Sequence, residues 1–155
     1  MGEIEFKAKR LDDGEWVCGH YCELAGRKYI IPDYSQFRDI HDADLESSFT
    51  EIIPETVCQW TGLFDKQRAK IFEGDILKTD DGDIVEVRYE KVYASFGIWK
   101  KGWAFLHYFH EAVEPQCCEV IGSTHDKVQQ KQALIDMMRG DEELRIALAR
   151  LKTRK

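Results

Sequence analysis

Residues 59–66 read Gln59-Trp60-Thr61-Gly62-Leu63-Phe64-Asp65-Lys66, and residues 70–77 read Lys70-Ile71-Phe72-Glu73-Gly74-Asp75-Ile76-Leu77. This stretch predicts a strand, a reversal and the start of a second strand. Trp60, Leu63, Ile71, Phe72, Ile76 and Leu77 are its apolar anchors. Gly62 and Gly74 stand where the backbone needs dihedrals that side chains disfavour.

Working outward toward the N-terminus, Ile4, Phe6 and Ala8 alternate with Glu5, Lys7 and Lys9, the period of a half-buried strand. Asp12-Asp13-Gly14 supplies a turn. Residues 15–24 form the return strand, with Trp16, Cys18, His20 and Cys22 on one face. Residues 28–31 make a short strand stopped by Pro32. Residues 33–55 weaken into an irregular, acidic excursion.

Downstream, residues 76–79 and 83–89 flank Asp80-Asp81-Gly82 and predict a hairpin. Residues 93–99 form a further strand, followed by a Lys100-Lys101-Gly102 turn. Residues 103–109 carry large apolar groups on both faces and are expected to be a central or covered strand. Residues 118–123 close the sheet. Beyond His125 the pattern becomes helical. Val128, Leu134, Ile135, Met137 and Met138 form an apolar stripe, Gly140 interrupts it, and Asp141-Glu142-Glu143 opens a second helix bearing Leu144, Ala147, Leu148 and Leu151.

The stretch that opens this section resembles the signature of the YopX-like family, proteins of phages and other bacterial mobile elements. Members read T-G-L-x-D-x-N-G-x-x-I-Y-E-G-D-I-V there. Thr61, Gly62, Leu63, Asp65, Ile71, Glu73, Gly74, Asp75 and Ile76 match, while Gln67-Arg68 stand in place of Asn-Gly. The opening residues are similar to the family's I-K-F-R-A-W, with Lys9 where the aromatic usually is. Residues 119–122, through Gly122, resemble its E-V-I-G-N element, with Ser123 for Asn. The resemblance spans residues 4–123. It implies a mobile-element setting and supports a mainly β fold: a small, bent antiparallel sheet or SH3-type, partly open barrel over residues 1–124, with a helical appendage over 125–155. Lys9 predicts a weakly anchored strand end, and Gln67-Arg68 predict a different turn type from the family's.

The 43% hydrophobic content, with four Trp, eight Phe and six Tyr among 155 residues, is enough for a packed core. A net charge of −7 opposes nucleic-acid and anionic-membrane binding by the molecule as a whole. The opening residues lack the blocks of a signal peptide, so a cytoplasmic protein with reduced thiols is expected. Of the five cysteines, Cys58 reads as a small buried apolar residue. Adjacent Cys117 and Cys118 point to opposite faces of an extended chain.

Three sets of residues invite chemical readings. Cys18-x-His20-x-Cys22, with His107 and His110, is the nearest approach to a zinc set, but zinc pairs normally sit at C-x2-C spacing on tight turns. No metal and no cofactor is expected. Glu73 and Asp75 share a face on an extended chain and suggest acid/base chemistry of a hydrolase. The bland reading has Asp75 accept backbone N–H groups, Glu73 pair with a lysine such as Lys70, and Asp65 shape an Asx-type turn. Lys91, Lys100 and Lys101 beside Tyr93, Phe96, Trp99 and Trp103 suggest a base-stacking surface. The same aromatics serve equally as core or as a protein interface. The favoured function is a non-enzymatic accessory role through protein contacts, with self-association by the C-terminal helices. The alternatives are nucleic-acid binding by the hairpin at 91–103 and a hydrolase using Glu73 and Asp75.

Overall fold

The computed structural model describes residues 2–32, 48–126, 145–146 and 149–150. The chain divides into two compact units, Met1–Ser123 and Thr124–Lys155.

The first unit is mainly β. Its strands are β1 (Phe6–Lys9), β2 (Trp16–Leu24), β3 (Arg27–Ile31), β4 (Thr50–Glu51), β5 (Cys58–Phe64), β6 (Lys70–Phe72), β7 (Asp75–Thr79), β8 (Ile84–Glu90), β9 (Ser95–Trp99) and β10 (Cys118–Ser123). They form two antiparallel sheets, ordered β4-β3-β2-β1-β5-β6 and β10-β7-β8-β9. The expected mainly β, antiparallel fold is observed, but the single bent sheet or partly open SH3-type barrel is corrected to two sheets. The division falls inside the signature. Gly74 takes φ 78°, a left-handed conformation that redirects the chain between β6 of one sheet and β7 of the other.

The buried side chains form two clusters, the second of which combines Ile71, from β6 of the six-stranded sheet, with residues of the four-stranded sheet. Ala8, Ile30 and Ile52 are buried in the first, with Phe6, Val17 and Tyr21 packed against them. Ile71, Leu77, Val85, Val87 and Ile98 form the second, joined by Phe109 and Cys118. The hairpin around Asp80-Asp81-Gly82 forms as expected: the Gly82 N–H donates to Thr79 O (2.9 Å) and the Asp83 N–H to Thr79 Oγ1 (3.0 Å).

Two local expectations are corrected. Lys9 does not loosen the end of β1. It is buried, its N–H donates to Thr56 Oγ1 (2.9 Å), and its ammonium lies 5.2 Å from the Trp16 ring, a cation–π contact in place of the family's aromatic. Arg68 takes φ 65°, a left-handed conformation, in the slot where the family has Gly. Residues 103–109 do not form a strand. His107 makes one isolated bridge with Ile98, and a helical turn, α1 (Phe109–Ala112), follows. The bridge draws Leu106 against Gly97, where a Cβ would fall 1.9 Å from Leu106 Cδ2 and 2.6 Å from His107 O. Gly97 makes that approach possible.

Within the acidic excursion, residues 33–47 lie outside the described residues. Its end is ordered: Thr50–Glu51 is an edge strand on β3, and Ile52 is core. In the second unit Asp126, Arg145, Ile146, Ala149 and Arg150 have helical backbone. The rest of the expected helical appendage lies outside the described residues.

Candidate functional site

The two aspartates of the signature each tie one sheet to the other. Asp65, at the end of β5, is buried. Its Oδ1 accepts the Gln67 and Ala69 N–H groups (both 2.8 Å), forming the expected Asx-type turn, while Oδ2 accepts the Val120 N–H of β10 (3.0 Å). Asp75, at the start of β7, is 0% exposed. Its Oδ2 accepts the Phe72 N–H of β6 (2.8 Å), and its Oδ1 pairs with Lys7 Nζ of β1 at 2.5 Å. The Lys7 ammonium lies 4.6 Å from the Trp16 ring centre and 4.9 Å from that of Phe72. Thr61 Oγ1 donates to Ile71 O (2.7 Å) and holds β5 to β6. Gly122 follows a bulge in β10 and pairs with Ile76.

Glu73 takes no part in these ties. Lys70, its expected partner, pairs with Glu5 and lies over the Trp60 ring. Burial raises the pKa of the Glu73 carboxyl, and the charge of Lys91 partly opposes the shift. Of the two carboxylates suggested for acid/base chemistry, Asp75 is thus closed to solvent and engaged by Lys7.

The hairpin residues separate into two groups. Tyr93 and Phe96 lie near the β8–β9 turn. Trp99, Lys100, Lys101 and Trp103 lie at the other end of β9, about 13 Å away for four strand steps. Arg88 covers the Trp99 ring at 3.9 Å, Lys100 pairs with Asp83 (2.7 Å), and Trp103 packs on the second core. Lys91 is exposed at the turn. The structure does not join these seven residues into one basic, aromatic surface.

A cleft of about 820 Å³ opens instead between β5, the β8–β9 turn and α1. Its walls include Thr61, Leu63, Tyr93, Phe96, Tyr108 and Phe109, with His110 and Glu114 at its polar side. A second cavity of about 430 Å³ is lined by Glu90, Tyr93, Phe105, Leu106 and Tyr108. Tyr93 and Tyr108 border both, with ring centres 6.3 Å apart at 76°. Ala94, at φ 49°, closes the turn that presents Tyr93. Sequence reasoning found Tyr93 and Phe96 but missed Glu90, Phe105, Tyr108 and Glu114. The dense aromatics of residues 103–109 were the available signal, and the period-2 reading assigned them to strand faces.

Cys18, His20 and Cys22 alternate along β2, with Cys18 and His20 exposed. His107 sits edge-on to Trp103, and His110 stacks on Tyr108. Among the described residues no three His, Cys, Asp or Glu side chains converge as a metal site. The cysteines are free thiols; Cys117 is exposed and Cys118 buried. Burial pushes Cys58 up to about 12 and Cys118 up to about 11. No helix among the described residues is long and apolar enough to cross a membrane.

A family model described as YopX protein matches residues 5–129. No curated protein matches the chain.

Proposed function

The chain belongs to the YopX family, and from that premise we propose that it is a non-enzymatic accessory protein of a phage or other mobile element. It acts in the cytoplasm through protein–protein contacts, including self-association through residues 125–155. The observation that carries this reading is how the two exposed and buried sets of residues divide. The signature aspartates are taken up by Lys7 and by backbone N–H groups, whereas Tyr93 and Phe105 are exposed in the walls of two adjoining aromatic hollows. Exposed apolar side chains grouped at a concave site suit a protein interface. The apolar stripe of residues 128–138 supports self-association.

The test is titration of labelled single-stranded and duplex oligonucleotides at about 0.15 M salt, followed by anisotropy. Protein contact as the function predicts no binding. Binding that weakens steeply with salt would favour the nucleic-acid reading.

A further inference from the structure

We propose that the cavity bounded by Glu90, Tyr93, Phe105 and Tyr108 is a recognition site for a lysine or arginine side chain on a basic segment of a partner protein. The proposal rests on the protein-contact reading above and names the chemistry of the partner.

Three aromatic rings and one carboxylate line this cavity together with Leu106. Tyr93 and Tyr108 meet nearly edge to face, and one face of Tyr108 is stacked on His110. The face of an aromatic ring carries negative potential and attracts an ammonium or guanidinium group within about 6 Å. Glu90 adds a full negative charge. Its Oε1 accepts the Val92 N–H (3.2 Å), which fixes the carboxylate against the β8–β9 turn. The volume of about 430 Å³ is ample for one long basic side chain.

The adjoining cleft extends the same chemistry. It shares Tyr93 and Tyr108 and places Glu114 among its walls. Among the described residues, neither space has a lysine or arginine in its lining. A peptide crossing Tyr93 and Tyr108 would meet a carboxylate on each side, which fits a segment with two basic residues. An anionic ligand would meet like charge at Glu90 and Glu114, and a wholly apolar one would strip water from the Glu90 carboxylate without supplying a counter-charge.

The test uses the full chain labelled with 15N and two synthetic peptides, an alternating Ala-Lys octamer and its Ala-Glu counterpart. The expected result is that the lysine peptide shifts amide signals of residues 90–93, 105–108 and 114, and that the glutamate peptide shifts none. Because the protein carries a net charge of −7, unspecific attraction must be separated from recognition. Tyr93→Ala leaves the charge unchanged and removes a ring that is 69% exposed, so the fold tolerates it. It is expected to weaken binding between about threefold and thirtyfold, the value of one cation–π contact. Tyr93→Phe should restore the affinity, and Glu90→Gln should weaken it. Equal affinity of Tyr93→Ala and the parent protein would overturn the proposal, as would shifts scattered over other acidic surfaces. Preferential binding of a single-stranded oligonucleotide in this cavity would overturn it together with the protein-contact reading. Absence of peptide binding in a self-associating chain would overturn the proposal alone.

Discussion

Replacing Lys7 by Met should cost about 3–4 kcal/mol of stability. The Lys7 side chain is 13% exposed and the Asp75 side chain 0%, so the substitution takes the Lys7 ammonium away from a carboxylate closed to solvent, which keeps the Phe72 N–H. Removing one partner of such a pair costs about 3–5 kcal/mol. Loss of cation–π contact with Trp16 and Phe72 adds roughly 0.5–1 kcal/mol per ring. Methionine returns part of this by filling the slot between the rings. In a chain of this size each kcal/mol moves the midpoint by about 2–4 °C, so Tm should fall by roughly 6–16 °C. Urea unfolding followed by tryptophan fluorescence reads the change, with Trp16 as a local reporter. Asp75→Asn should also destabilise, and the double variant should cost less than the two singles together by about 2 kcal/mol, within the range seen for contacting pairs. A loss below about 1 kcal/mol for Lys7→Met, or strictly additive costs, would refute the claim that this pair ties the sheets.

Gly97→Ala should destabilise by about 1–3 kcal/mol, because the added methyl meets both Leu106 and the His107 carbonyl; a thermal melt measures it. Arg68→Gly should stabilise by up to about 1 kcal/mol, since it relieves a left-handed arginine while the unfolded chain gains freedom; urea midpoints decide. Glu73 has its folded pKa raised by burial, so the folded state holds its proton more tightly. Its ionisation therefore costs stability as pH rises from the unfolded pKa through the folded one. Glu73→Gln should raise Tm at pH 7 and leave it nearly unchanged below pH 4. With a thiol-reactive disulfide at pH 8, Cys117 should react in the native protein, whereas Cys58 and Cys118 should react only after unfolding.

The turns and most strands were legible because short-range chemistry decides them. Gly62 and Gly74 take φ 85° and 78°, and Asp65 caps its own turn. The alternation of Phe6 and Ala8 with lysines marks β1. The two-sheet division was not legible, because it rests on pairings between distant residues. Lys7 and Asp75 are 68 positions apart, and nothing local in either marks the other as its partner. The reading of residues 103–109 failed for a related reason. Aromatics at alternate positions suit a covered strand, but here Trp103 and Phe109 enter the core while Phe105 stays exposed beside the cleft. Lys9 and Arg68 looked like departures that would loosen or reshape their neighbourhoods. Trp16 receives the ammonium of Lys9, and Arg68 tolerates the dihedral that glycine would otherwise supply. The cleft itself was half visible, since Tyr93 and Phe96 were singled out, but the side chains opposite them come from residues 105–114 and are brought there by the bridge at His107.

The central claim, that this YopX protein acts through protein contacts and assembles through its C-terminal segment, is tested most directly by light scattering on the full chain and on a chain ending at Ser123. The account predicts an oligomer for the full chain and a folded monomer for the shortened one. Monomers in both cases would contradict it.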